Sequence, residues 1–297
     1  MSAETRPLRS DLARTVRRLR GRVISEERWS RVSMWTGATI VAIIAGLSLV
    51  GPWFLGDPTK PDLPNALAPP SPQHLFGTDS LGRDVFTRVV YGGRIDLTFG
   101  LVTTYIPLLL GLFLGALSGY LGGRTDSIVM RFVDLVIAFP LMVLVLALVA
   151  IMGSGITGAY IGVILVSWAL YARLTRGEML AVRERQYILA AQALGFSTRR
   201  IVFRHAIPNL LRASLVFSMA DIVLNILTLA ALSYLGLGVQ PPTPEWGAIV
   251  AEGQGFLRTA WWITTFSGLT IVLTGIGFSL IGDGIADRLG SDFRLTG

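Results

Sequence analysis

Six stretches of this chain are long, apolar and almost free of charge, and such runs leave few ways to fold. They extend from about Met34 to Leu55, Leu97 to Leu121, Phe132 to Met152, Ala159 to Ala172, Ala213 to Leu237 and Trp261 to Ile281. A helix rising about 1.5 Å per residue needs roughly 20 apolar residues to cross a hydrocarbon core of about 30 Å. Inside lipid the backbone must satisfy its own hydrogen bonds, which leaves only helices or closed barrels. The runs lack the alternation, over about ten residues, that marks a barrel strand. The expected fold is therefore an all-α integral membrane protein with six transmembrane helices. Composition agrees: 52% of residues are apolar and only 15% are charged, against about 25% charged in a soluble domain.

The net charge of +7 comes from arginine, with Lys60 the sole lysine. In a soluble protein that balance points to nucleic acid, but here its distribution has another cause. The tail 1–33, the link at Arg124 and Arg131, the stretch Arg173 to Arg212, and Arg288 with Arg294 carry 21 basic residues. The alternate links, 56–96 and 238–260, carry 5. Loops on the cytoplasmic side accumulate Lys and Arg, so both termini are expected to be cytoplasmic, and no nucleic acid is called for. The chain then divides into a basic cytoplasmic tail (1–33), a first transmembrane helix (34–55), an extracytoplasmic Pro-rich linker and amphipathic segment (56–96), a transmembrane core (97–285) and a cytoplasmic tail (286–297). The first span is read as retained rather than as a cleaved signal peptide, since its polar leader and apolar run are both too long.

In the tail, Leu12, Val16, Leu19 and Val23 share a helical face between arginines. That describes either a basic amphipathic helix lying on anionic lipid headgroups or a disordered positive-inside tail. In the linker, Pro58, Pro61, Pro64, Pro69, Pro70 and Pro72 exclude a helix. After it, Thr78 or Asp79 can cap a short helix with Leu81, Val85 and Val89 on one face, resting on the membrane boundary, with Asp84 and Arg88 paired at i+4.

The chemistry available is limited. With no Cys, a thiolate metal site and a Cys nucleophile are excluded. No G-x-x-x-x-G-K-[ST] loop occurs, so the chain is not itself a P-loop ATPase, and any ATP belongs to a partner. His74 and His205 lie outside the spans on opposite sides, which leaves no intramembrane His dyad or metal pair.

The loop from Arg183 to Asn209 is the most patterned segment. A helix rich in small residues should end at Gly195, and Ser197 can cap a second helix that stops at Pro208. Ala190, Ala191 and Ala193 leave a surface that another protein can approach closely, while flanking arginines can pair with acids on it. On these residues alone, a plain amphipathic loop and a docking element stand equal. Within the fifth span Asp221, with Asn225 one turn later, either lines a polar path that meets a peptide amine or pairs with a neighbouring Arg at the span's cytoplasmic end. Asp134 pairs most simply with Arg131 at i,i+3. Trp168, Tyr171, Trp246, Trp261 and Trp262 fall near span ends, as an aromatic belt would. Pro140 either permits a bend in the third span or sets a static kink.

The stretch Ala190-Ala191-x-x-x-Gly195 followed by Ile207-Pro208 resembles the E-A-A-x-x-x-G and I-x-L-P loop of permease subunits in bacterial ABC importers. Gly77-Thr78-Asp79 with Gly82-Arg83-Asp84, Phe139-Pro140, Tyr171-Ala172-Arg173-x-x-Arg176-Gly177 and Arg204-His205-Ala206-Ile207-Pro208-Asn209 resemble the C-type permease of the dipeptide, oligopeptide and nickel branch. So do Leu235 to Ala248 and Gly282-Asp283-Gly284. Two positions depart from the pattern, Leu189 where the loop motif opens with Glu, and Leu229 where an acid is expected. The resemblance implies a type I ABC importer permease fold, multi-pass in the bacterial cytoplasmic membrane. It implies a coupling loop, with Ala190, Ala191, Ala193, Gly195, Arg204, His205 and Pro208, seated in a cleft of an ATP-binding subunit. It further implies no catalytic role and no cofactor on this chain, ATP and Mg being held by two ATP-binding subunits. The other partners implied are a second homologous permease, an extracytoplasmic solute-binding protein meeting the region of Pro241, Pro242, Pro244 and Trp246, and a di- or oligopeptide substrate. The alternative cargo is nickel or a modified peptide such as glutathione. An intramembrane enzyme lacks a dyad, and a self-sufficient ion-coupled transporter would have Asp221 alone to work with.

Overall fold

The computed structural model describes residues 30–295, with side chains through residue 288. The tail 1–29, and with it the amphipathic helix expected over Leu12 to Val23, lies outside the described residues. What is described is entirely helical apart from links and one isolated bridge between Thr78 and Asp84. Five helices have the length and apolarity to cross a membrane, and a bent pair, counted as one span, brings the number to six. The six-helix expectation holds, with several boundaries moved.

Helix α1 spans Ser30–Trp53 and α2 spans Val85–Leu121. At 37 residues α2 is about 55 Å long, far more than a bilayer core needs. The short amphipathic helix expected before the second span is in fact the first turns of α2. Asp84 caps it, accepting the Thr87 backbone N–H at 2.7 Å. Val85 and Val89 are buried against the protein rather than laid on the membrane, and Leu81 stands outside the helix, 41% exposed.

Helices α3 (Gly123–Ile137) and α4 (Leu141–Met152) meet at an 86° bend across Ala138, Phe139 and Pro140. The third span is thus not one straight helix from Phe132. Pro140 has no N–H to donate and disfavours helical backbone at Phe139, so α3 closes at Ala138 and α4 restarts with Pro140 as its N-cap. Asp134 reaches Arg173 of α5 rather than Arg131. Helix α5 runs over Ile156–Val182, ten residues beyond Ala172.

Helix α6 (Gln186–Ala193) lies at one end of the bundle, here the loop end. The helix after it does not stop at Pro208. Helix α7 (Thr198–Arg200), a π-helical turn (Ile201–Ala206) and α8 (Ile207–Tyr234) form one continuous stretch, Thr198–Tyr234. The wide turn ends just where Pro208 enters the first turn of α8, a position at which a missing N–H costs nothing. Short α9 (Trp246–Gly253) sits at the far end, and α10 (Trp262–Leu295) returns to the loop end. Ser30 of α1 donates to the Gly284 carbonyl of α10, so both described ends of the chain lie at the loop end.

The densest packing joins α2 to α5. Gly111, Gly115 and Gly119, spaced by four, lay one face of α2 directly on Tyr171, Ala172, Thr175, Arg176 and Met179 of α5. In lipid, small residues at such spacing let backbones approach and gain dispersion contact. Arg94 of α2 donates to the Ser48 and Leu49 carbonyls at 2.7 and 2.6 Å, closing the last turn of α1.

Gly115→Leu places side-chain atoms where the Ala172 carbonyl lies. It should destabilise the fold by about 1–3 kcal/mol, read as a lower thermal midpoint in mild detergent. At Gly177 a new Cβ meets nothing within 4 Å, and Gly177→Ala should leave the midpoint unchanged or slightly higher.

Candidate functional site

The loop end carries the residues that the sequence singled out. Helix α6 terminates as a Schellman motif: Gly195 adopts φ +73, its N–H donates to the Gln192 carbonyl at 2.9 Å, and Phe196 donates to Ala191 at 3.1 Å. Ser197 then accepts the Arg200 N–H and caps α7. The alanines separate. Ala190 and Ala193 face outward, whereas Ala191 is buried with Ile188, Ile201, Val202 and Ala206 in a core that α2 and α5 share. Ala191 is therefore not a surface residue; it fixes α6 to the bundle. Arg204 and Pro208 are exposed, and His205 is half-buried with its ring 5.9 Å from that of Phe196. Arg200 lies 4.0 Å over the other member of this stack, Phe196.

Three side-chain bonds fix the loop in place. Arg183 donates to the Gly119 carbonyl at 3.1 Å, Gln192 to the Tyr120 hydroxyl at 3.2 Å, and Asn209 to the Tyr187 hydroxyl at 3.2 Å. Partial burial pushes the Tyr187 phenol above its usual range, so it stays protonated. A cleft of about 420 Å³ opens between Tyr120, Arg183, Glu184, Leu189 and Gln192. The outward apolar residues Leu189 and Leu194, 50% and 73% exposed, were not expected as surface features. Their signal was present: positions 189, 190, 193 and 194 fall within one helical arc opposite Ile188 and Ala191.

In mid-bundle, Asp221 has no arginine partner. Its Oδ2 accepts the Tyr171 hydroxyl at 2.9 Å and the Asn225 amide at 3.2 Å, and that amide also donates to Thr104 at 2.8 Å. Asp221 and Asn225 are 5% and 4% exposed. The structure thus replaces the expected end-of-span ion pair by a closed polar knot joining α2, α5 and α8. Leu229, where an acid was expected, is fully buried among apolar side chains of α2, α4 and α5.

At the far end, charge is buried rather than displayed. Arg88 does not pair with Asp84. It bonds Asp79 at 2.6 Å and chelates Glu252 at 2.6 and 3.0 Å, while Arg83 bonds Asp79 at 2.7 Å and Glu252 at 2.8 Å. Arg88 and Asp79 are fully buried. Asp84 instead meets His74 at 3.0 Å. Trp246 is also fully buried, its indole donating to the Val89 carbonyl at 2.9 Å and its backbone N–H to Asp96 at 3.1 Å. Trp246, Trp262 and Tyr171 therefore pack inside the protein and are not part of a lipid-facing belt; Trp261 is half exposed. Among the described residues no group of three His, Asp or Glu is placed to hold a metal.

Arg88→Met strips Asp79 and Glu252 of a shared cation and should cost about 3–5 kcal/mol. Tyr171→Phe removes one donor from Asp221 and should cost about 1–3 kcal/mol. Both are read as thermal midpoints of the purified chain, where equal, negligible shifts would contradict the buried-charge account.

Comparison with known proteins places this arrangement. Residues 111–295 match the family described as "Binding-protein-dependent transport system inner membrane component". The chain is 41% identical over 255 residues to the protein described as "Probable D,D-dipeptide transport system permease protein DdpC" of Escherichia coli K12, covering 86% of each. It is 42% identical over 220 residues to the glutathione transport system permease protein GsiD of Pectobacterium atrosepticum, covering 74% of this chain and 73% of that one. In fold it is similar to a chain of the MetNI methionine ABC transporter in an inward-facing conformation. The TM-score is 0.56 at 18% identity, covering 68% of this chain and 95% of that one. The chain belongs to the binding-protein-dependent inner membrane components, the non-catalytic, multi-pass permease subunits of bacterial ABC importers, which work in complexes with ATPase and binding-protein partners.

Proposed function

We propose that this chain forms half of a translocation path for di- or oligopeptides, pairing with a second, homologous permease and with two ATP-binding subunits that hold ATP and Mg. The loop end, with both described ends of the chain, faces the cytoplasm, the side to which the sequence assigns 21 of the 26 basic residues. The far end, with α9 and the Pro-rich links, faces the solute-binding protein. Peptide cargo follows from the relatives, whose names specify a dipeptide and glutathione, itself a small peptide.

The observation that carries this reading is the construction of the loop over residues 183–209. Ala190, Ala193 and Arg204 are exposed on it, yet Ala191, Arg183 and Gln192 bind it to the core and to the end of α2, and it continues without a break into α8. A pull on α6 and α7 by closing ATPases is thereby delivered to α8 and to the Asp221 knot between α2 and α5. Asp221 and Asn225 come to line the path only when these helices part, because both are enclosed in the present packing. Two packings of the helices, each biased by a ligand on one side, give alternating access.

Reconstitution of the complex copurified from its native membrane, with the binding protein added, tests this. ATP-dependent uptake of a labelled dipeptide is expected, and it should be lost when the ATP-binding subunits are left out. Uptake of nickel, or of the modified peptide glutathione, with no uptake of ordinary di- or oligopeptides would overturn the cargo assignment. Gly195→Val forces a β-branched residue into left-handed backbone at a cost of roughly 1–2 kcal/mol. It should lower transport per ATP hydrolysed while the complex still assembles; Gly195→Asn, tolerated at that conformation, should restore coupling.

A further inference from the structure

Helix α3 lies more across the bundle than along it. Asp126 bonds Arg176 and Asp134 meets Arg173 of α5, so about 12 Å of travel along α3 advances along α5 by only about 4.5 Å. At the 86° bend α4 turns away, and its 12 residues rise only about 18 Å, short of a hydrocarbon core of about 30 Å. The missing depth falls to α3, which therefore sits within the leaflet and not in the water beyond it. Its surface agrees. Val133 is fully buried in a cluster with Ala169 and Ala172 of α5, whereas Ile128, Phe132 and Leu135 are 58%, 61% and 60% exposed. These three fall within a helical arc of about 60°, and Phe139, 52% exposed, carries the apolar stripe into the bend. Arg124 and Arg131, two turns apart, line one edge of the stripe, and both are exposed. The only acids of α3, Asp126 and Asp134, are taken by Arg176 and Arg173, so neither Arg124 nor Arg131 has an ion-pair partner among the described residues.

Resting on the orientation proposed above, with the loop end in the cytoplasm, we infer that α3 is an in-plane membrane helix that binds acidic phospholipid of the cytoplasmic leaflet. Ile128, Phe132 and Leu135 enter the acyl chains, while Arg124 and Arg131 reach back along the helix edge to the level of the phosphates. A planar guanidinium suits that group, since it donates two parallel hydrogen bonds to phosphate oxygens. Charge complementarity favours lipid over the second permease as the occupant. A protein covering the stripe would have to bring acids to two arginines that this chain leaves free, whereas an acidic leaflet presents them along its whole surface. The bend at Phe139 and Pro140 is then the point at which the chain passes from the leaflet into the crossing made by α4.

The test uses the copurified complex in nanodiscs of equimolar phosphatidylglycerol and phosphatidylcholine. A benzophenone amino acid replaces Phe132, or separately Leu135, and after illumination the adducts on this chain are identified by mass. Phospholipid adducts are expected at both positions, with phosphatidylglycerol favoured at least about fivefold, the ratio that one interfacial arginine gives at about 1 kcal/mol. Arg124→Gln with Arg131→Gln should lower that ratio several-fold while lipid adducts persist, and Arg124→Lys with Arg131→Lys should keep most of it. The thermal midpoint serves as the control for folding, since all four positions are exposed. Adducts formed chiefly with the second permease, or a lipid ratio that the Gln pair leaves unmoved, would overturn the inference while the importer reading stood. Lipid adducts on a chain that copurifies with no ATP-binding subunit would instead overturn the importer reading and leave the in-plane helix standing.

Discussion

In hydrocarbon, helices gain nothing from hiding apolar surface, so close backbone approach and polar contact must hold them together. The seam of Gly111, Gly115 and Gly119 against α5 meets that constraint, and the other functional parts are referred to it. Tyr171, which packs on Gly111, is the residue that reaches Asp221. Arg176, packed near Gly115, bonds Asp126 of α3 at 2.6 Å and sets where the bent pair leaves the bundle. Gly119 offers its carbonyl to Arg183 at the root of the loop. The loop, the polar knot and the broken span are thus positioned by one helix pair.

The two ends of the bundle treat charge in opposite ways. At the far end Asp79, Arg83, Arg88 and Glu252 neutralise one another inside the protein, and α9 is tied to α2 through Glu252 at one end and Trp246 at the other. Buried charges of this kind are costly unless paired, and every member is paired, with Arg88 Nε alone left without a partner, so the cluster acts as a fixed joint. At the loop end, arginines remain on the surface around an apolar arc. A rigid cap at one end and an interactive surface at the other suit a subunit that receives force at one side and transmits it through whole helices.

Three prolines within the bundle's helices or at their breaks show how far sequence reasoning reaches. Pro107 lies inside α2 with the helix continuous around it, Pro140 marks an 86° break, and Pro208 follows a π-helical turn. Each lacks the same N–H. Neighbouring helices and local widening decide whether the chain bends, breaks or absorbs the loss. For that reason the third span was legible as apolar but not as bent, and the second helix of the loop appeared to stop where it in fact enters α8.

The sequence by itself determined the all-helical, membrane-spanning class, the arginine asymmetry, the Gly195 turn and its Ser197 cap, and the family pattern, because these depend on local backbone rules and on hydropathy. Only the tertiary structure decided who pairs with whom. Asp84 and Arg88, four apart, looked like partners, yet Arg88 reaches Glu252, a residue 164 positions away. Asp221 looked like the partner of an arginine, yet it bonds Tyr171, 50 positions away. Ala190 and Ala191 looked alike, yet one faces outward and the other is core. Spacing along a helix shows which side chains can meet on that helix; which of them do meet is settled by the helices packed alongside, where an unpaired buried charge would cost more than any i,i+4 contact returns.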